Sequence, residues 1–89
     1  MAYAARRERS GSDPVRYEIK AHLGVLSTSG TGWTREVNIV SWNDRQARLD
    51  IRDWDPDHVK MSRGVGLNGD EVMNLRSILE NLDPDTHQI

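Results

Sequence analysis

The chain has 89 residues, with 12 basic and 14 acidic side chains, a formal net charge of −2 and no cysteine. This length allows one domain, and the lack of cysteine excludes disulfides and cysteine-based zinc sites. No apolar run is long enough to cross a bilayer, and the charge balance argues against an indiscriminate binder of polyanions. Because so short a chain has a marginal core, we expect a homodimer that buries additional surface.

Four segments have the alternation or composition of β-strands, and turn sequences rich in small residues separate them. Before them, residues 1–14 are polar and lack any period, so we interpret them as a disordered N-terminal tail. The proline of "DPDH" ends the third strand, because proline lacks a backbone donor. The predicted strands are 15–25, 34–42, 47–54 and 62–67.

A helix is predicted after the fourth strand. Asn68 suits the N-cap, and Glu71 three residues later completes a capping box. Asp83 and Pro84 end the helix, which leaves 83–89 as a short C-terminal tail. The order β-β-β-β-α predicts an α+β fold, a four-stranded antiparallel sheet with one C-terminal helix. The apolar stripe of that helix, which can cover one face of the sheet, is Val72, Leu75, Leu79 and Leu82, widened by Met73 and Ile78.

Strand alternation predicts which side chains the helix leaves uncovered. If Leu49 and Ile51 face the helix, their neighbours along the strand face away from it. Tryptophan with arginine on an open sheet suits single-stranded nucleic acid, since bases stack on rings and cations hold phosphates. A homodimer contact explains the same composition equally well. By strand, the residues predicted on the uncovered face are Arg16, Glu18, Lys20 and His22; Glu36, Asn38, Val40 and Trp42; Arg48, Asp50, Arg52 and Trp54.

No pattern in the chain predicts catalysis, a cofactor or a metal. The aspartates of 53–58 are spaced like the start of a calcium loop, but His58 and Gly64 stand where glycine and glutamate are required. The glycine-rich turn lacks the pattern of a phosphate loop, and the three histidines are scattered. A nuclease built on the aspartates of 53–57 is the enzymatic alternative.

Two quoted stretches carry a family resemblance. "LDIRDWDPD" (49–57) and "MSRGVGLNGDEVMNL" (61–75) resemble the signature of the positive cofactor four (PC-four) family. In that signature an IDIRE-type strand leads through an acidic loop with proline to a Lys/Arg-Gly-Ile-Ser-Leu strand and a closing helix. Upstream, "HLGVLSTSGTGWTREVNIVSWNDR" (22–45) is similar to the bacterial YdbC-type branch. The likeness covers about 15–82, which would form a single-stranded nucleic-acid binding domain.

The resemblance implies a homodimer that binds single-stranded DNA, or RNA as the alternative, with little sequence preference. Such a protein would be cytoplasmic, and nucleoid-associated in a bacterium. It would assist transcription, replication or repair, and the transcription machinery would be a further partner. A protein-interaction module that uses the same face is the alternative function.

The resemblance also implies site residues. Arg52 matches the arginine of the IDIR strand, Arg63 matches the basic residue before the glycine, and Trp42 and Trp54 fall near aromatic residues. Arg35 could instead lie at a rim or pair with a carboxylate. The chain departs from the family in a hairpin, "NDRQAR", with few basic residues, in Val72 where tryptophan is usual, and in Gly66 where serine or threonine is usual. Further candidates for phosphate or base contact are Arg48, Arg45, Arg35, Lys20, Lys60 and Asn38.

Overall fold

A computed structural model describes residues 15–89; the predicted tail, residues 1–14, lies outside the described part. Four strands form one antiparallel sheet in the order of the sequence, and a helix follows, so the predicted fold is confirmed. A one-turn helix also forms where only a C-terminal tail was predicted. The elements are β1 (Tyr17–Thr28), β2 (Thr34–Trp42), β3 (Arg48–Trp54), β4 (Val65–Leu67), α1 (Gly69–Glu80) and α2 (Pro84–His87).

β1 does not keep the simple alternation that its sequence predicts. Tyr17 pairs with Trp42 and His22 pairs with Asn38, and three register shifts interrupt the pairing with β2. Each shift adds one residue to β1, so the side chains after it change face. The prediction that Tyr17 and His22 lie on opposite faces is therefore wrong. Both lie on the face that carries Trp42 and Trp54, which we call the tryptophan face.

The tryptophan face is concave. Trp54 pairs with Thr34 at the opposite end of β2 from Trp42, roughly 26 Å away along a straight strand of this length. The ring of Tyr17 nevertheless lies 5.4 Å from that of Trp42 and 5.5 Å from that of Trp54, between centroids. The strands must therefore curl around this face, and the bulges of β1 favour such bending.

The concave face is the more buried one, which is the opposite of what the sequence predicted. Leu49 and Ile51, on the face predicted as the core, are only partly buried, as are Val37 and Ile39. The tryptophan face, predicted to be uncovered, holds the side chains of the described chain that are fully buried. These are Val40, Trp54, Asn38 and Asp50.

The segment between β3 and β4 helps to cover the tryptophan face because it folds back on the sheet. Trp54 forms an isolated β-bridge with Met61. The turn before this bridge is closed by the carboxylate of Asp55, which accepts hydrogen bonds from the backbone N–H groups of Val59 at 2.7 Å and Lys60 at 2.9 Å. Trp54 is thus enclosed by its own following loop.

The predicted capping box of α1 is confirmed, with Glu71 N donating to Asn68 Oδ1 and Asn68 N donating to Glu71 Oε1, each at 2.9 Å. The predicted cover of one sheet face by α1 is wrong for the protomer. α1 contacts only β3 and β4 among the described elements, and none of its residues is buried. Met73 and Ile78 are 57% and 66% exposed. Neither helix of residues 15–89 has the length and apolar character to span a membrane.

Gly64 lies against β3 so closely that a side chain there has no room. A Cβ atom at this position would lie 2.5 Å from the Ile51 carbonyl oxygen and 2.5 Å from Arg52 Cβ. We expect Gly64→Ala to lower the free energy of unfolding by about 1–3 kcal/mol, as overpacking usually does. Urea unfolding measures this loss, and Gly30→Ala is a control, because nothing lies within 4 Å of its added Cβ. Equal losses in the two variants would contradict the close approach.

Candidate nucleic-acid interface

Four rings form a continuous row across the tryptophan face. Trp42 lies beside Tyr17, Tyr17 beside Trp54, and Trp54 beside His58, with the last centroids 4.0 Å apart and the rings nearly parallel at 4°. Trp54 is fully buried between its neighbours, whereas Trp42 is only partly buried. A base can therefore reach Trp42 directly, whereas His58 already occupies the stacking position on Trp54.

Arg52 joins this row to a buried carboxylate. Its Nε and Nη2 each donate to Asp50 at 2.7 Å, and Nη1 donates to the Ser62 carbonyl at 3.3 Å. The side chain of Arg52 is 15% exposed and that of Asp50 is fully buried. The guanidinium carbon also lies 4.3 Å from the centroid of the Trp42 ring. Arg52 thus contacts the Trp42 ring, and few of its N–H donors remain for a phosphate.

A cleft of about 380 Å³ opens beside these two residues. Trp42, Arg48, Arg52 and Met61 are among its lining residues. It offers a stacking surface, an apolar side chain and an exposed cation, Arg48, in one place. This combination suits a base together with its phosphate.

A second polar network surrounds Glu36, which is buried beside the far end of the row. His58 Nε2 and Asn38 Nδ2 lie 3.0 and 3.2 Å from Glu36 Oε1, and Thr34 Oγ1 donates to Oε2 at 2.6 Å. His22 Nδ1 lies 2.6 Å from Asn38 Oδ1. Burial raises the pKa of Glu36, but the hydrogen bonds from His58, Thr34 and Asn38 outweigh it and hold the pKa below the ordinary 4.5.

The predicted basic residues fall into two groups. Arg35 lies on the opposite face, where its Nε donates to Asp53 at 2.8 Å, and this hydrogen bond raises the pKa of Arg35. Lys20 also lies away from the tryptophan face. Its amine donates at 3.0 Å to Glu18, which pairs with Ser41 and therefore lies on the opposite face. For Arg35 the alternative of pairing with a carboxylate is thus confirmed, whereas the face that simple alternation gave to Lys20 is wrong. Phosphate contact by either residue stays a prediction. The exposed basic side chains that no ion pair of the described residues engages include Arg45, Arg48, Lys60 and Arg63.

The comparison with protein families identifies the chain. The family described as Transcriptional Coactivator p15 (PC4) matches residues 29–78, which is more than half of the sequence. The chain belongs to the PC4 family. An uncharacterized protein of Treponema pallidum (strain Nichols) is 42% identical over 84 residues, which cover 91% of this chain and 99% of that protein. The bacterial YdbC-type branch stays a prediction.

The PC4 match places some site residues inside the family's region and leaves others outside it. It includes Trp42 and Arg52 but begins at residue 29, after β1, so Tyr17 and His22 lie outside it. The sequence did not predict Tyr17 as a site residue, because simple alternation put it on the other face. His58 was considered, and rejected, for a calcium loop and for a metal site, so its place on Trp54 was also missed.

Two predicted contact residues are less accessible than expected. Trp54 and Asn38 are fully buried, and the Asn38 amide is bound to His22 and Glu36. Their contact with nucleic acid stays a prediction that requires this face to open. Within residues 15–89, no three histidine or acidic side chains are placed to hold a metal ion.

Glu36 makes the free energy of unfolding of this PC4 protein fall at low pH. Because its pKa is lowered in the fold, its contribution is complete above about pH 4.5 and is lost as the pH falls through the lower folded value. We expect Glu36→Gln to lose less stability than the parent between about pH 7 and pH 3. Urea unfolding at several pH values measures this, with the exposed Glu80→Gln as the matched control. Parallel profiles for parent and Glu36→Gln would contradict the prediction.

Proposed function

We propose that the protein binds single-stranded DNA with little sequence preference, as an accessory factor in transcription, replication or repair. Membership of the PC4 family supports nucleic-acid binding in general. The observation that carries the finer proposal is the partly buried ring of Trp42, with the Arg52 guanidinium 4.3 Å from its centroid. A cation on one side of an aromatic ring leaves its other surface for a base.

In this proposal the residues around Trp42 have separate roles in stacking, in positioning the ring and in binding phosphate. A base stacks on Trp42 in the cleft, while Arg52, bound to Asp50, keeps the ring in place. Exposed cations around the face hold the phosphates, and Arg48 is the nearest because it lines the same cleft. RNA offers the same bases and phosphates and is the alternative ligand. The remaining phosphate contacts that we propose are Arg45, Lys60 and Arg63.

We also propose that the protein acts as a homodimer. Much of the apolar stripe of α1 is open to solvent within the described residues, since Leu79 is 51% exposed and Ile78 is 66% exposed. Val72 and Leu75 lie beside a surface depression of about 410 Å³ along the same helix. A second protomer would bury this stripe, as obligate dimers do with apolar surface.

A titration with a thymidine oligomer of roughly twenty nucleotides tests the binding proposal. We expect tryptophan fluorescence to be quenched on binding. With about four phosphate contacts, the affinity should fall roughly fifty-fold between about 50 and 200 mM salt. Failure to bind at low salt, by fluorescence and by an independent method, would overturn the proposal and favour a protein-docking face.

A further inference from the structure

A second cleft, of about 290 Å³, lies at the His58 end of the row of rings. Ile19, His22, Glu36, Asn38 and His58 line it. Its lining is polar at the base, where Glu36 and Asn38 are buried, and the two imidazoles are exposed. The cleft is therefore separate from the one beside Trp42, although both belong to the tryptophan face.

The hydrogen bonds of this cleft determine where its protons lie. A carboxylate accepts only, so the Asn38 Nδ2 group and His58 Nε2 must both donate to Glu36. Asn38 Oδ1 then faces His22, and His22 Nδ1 must carry a proton. In a neutral imidazole the second nitrogen is an acceptor. While these rings are neutral, His22 Nε2 and His58 Nδ1 are therefore the acceptors, and neither has a hydrogen-bond partner within residues 15–89.

The charges around the cleft favour hydrogen-bond donors over anions. Glu36 from β2 and Asp50 from β3 are both buried carboxylates on this face. Arg52 from β3 is bound to Asp50, and in the loop that carries His58 the Asp55 carboxylate accepts from the backbone N–H of Lys60. A phosphate would meet carboxylate and imidazole acceptors without a free cation among the lining residues. A neutral group with N–H donors meets complementary partners instead.

The cleft is also held in one shape. His58 has φ of 60°, a conformation that is uncommon for a residue other than glycine. Its backbone N–H donates to the Asp55 carbonyl at 2.9 Å, and its ring is stacked on Trp54. The hydrogen bond from His58 Nε2 to Glu36 and the closure of the loop by Asp55 add to these contacts. The wall of the cleft that His58 forms is therefore fixed before any ligand arrives. Such preorganisation reduces the cost of binding.

We propose that this cleft binds the edge of one unpaired nucleobase that carries an amino group, and so favours cytosine, adenine or guanine over thymine or uracil. The inference rests on the proposed function and adds a base preference to it. The amino group of cytosine supplies two N–H donors to the acceptors of Glu36, His22 and His58. Thymine supplies a carbonyl oxygen at the same position, and two acceptors facing each other leave both unpaired.

A comparison of three oligomers tests the inference. Each has roughly twenty nucleotides: thymidine alone, thymidine with cytidine at every third position, and the same sequence with N4,N4-dimethylcytidine. The assay is made at about pH 8, well above the pKa of a free imidazole. We expect the parent to bind the cytidine oligomer about five-fold more tightly than the other two, which corresponds to one net hydrogen bond.

Variants assign this preference to the cleft. We expect His22→Ala, which removes an exposed ring and one acceptor, to bind all three oligomers with nearly equal affinity. His87→Ala is the matched control, since His87 lies in α2, which contacts no other element of the described chain, and it should keep the preference. If the parent binds thymidine as well as cytidine, or if His22→Ala keeps the preference, the inference is overturned and the proposed function stands. If no oligomer binds, both are overturned.

Discussion

Arg52→Ala will cost the fold about 3–5 kcal/mol of its free energy of unfolding, because it leaves a buried carboxylate without its partner. Asp50 is fully buried and receives two hydrogen bonds of 2.7 Å from Arg52. The free energy of unfolding in urea measures the loss. Arg48→Ala is the matched control, because Arg48 lies on the same strand with an exposed side chain and should stay within about 0.5 kcal/mol of the parent.

The double variant Asp50→Ala/Arg52→Ala distinguishes a buried charge from lost packing. If the unpaired carboxylate causes the loss, the double variant will be more stable than Arg52→Ala alone. A double variant that is less stable by the sum of both single losses would contradict this explanation. Because Arg52→Ala destabilises the fold, a fall in its DNA affinity does not by itself show a lost contact. Arg52→Lys keeps the positive charge and is therefore the better variant for measuring the effect of Arg52 on DNA affinity.

Trp42→Ala will lower the affinity for the thymidine oligomer by roughly 5- to 150-fold, the range expected for one stacked base. Trp42 is the accessible tryptophan of the row of rings and lines the cleft beside Arg52. Fluorescence anisotropy of a labelled oligomer measures the affinity without relying on tryptophan emission. We expect Trp42→Phe to retain part of the affinity, because a smaller ring still stacks.

Trp33→Phe is the control for Trp42→Phe. Trp33 is also partly buried but lies before β2, outside the row of rings, so its replacement should leave the affinity unchanged. A folded Trp42→Ala that binds the oligomer as tightly as the parent would show that the bases stack elsewhere. The binding proposal would then lose the observation that carries it.

Local signals in the sequence predicted the elements well. β2 was predicted residue for residue, and the pairing of Asn68 with Glu71 marked the start of α1, because alternation and capping depend on near neighbours. The composition of the site was also predicted, since Arg52 and Trp42 stood on one face by simple alternation. The carboxylate of Asp50 was on that face too, so its pairing with Arg52 was within reach of the sequence.

The burial of the two faces could not be predicted in the same way. Bulges in β1 depend on how that strand fits β2, and they moved Tyr17 and His22 to unexpected positions. The curl of the sheet and the return of the following loop enclosed Trp54. His58 stacks on Trp54 from a left-handed backbone conformation within a loop. These are tertiary effects, and no short stretch of sequence contains them.

The irregular pairing of β1 has a consequence for how copies of the chain meet. β1 is an edge strand of 12 residues, and Leu23 and Leu26 on it are exposed. A straight edge of that length would offer an unbroken row of backbone donors and acceptors to another chain, which is the usual start of aggregation. Three bulges interrupt that row, so no second strand can pair along its whole length. The distortions that bring His22 beside Asn38 thus also make this edge a poor template for pairing with another chain.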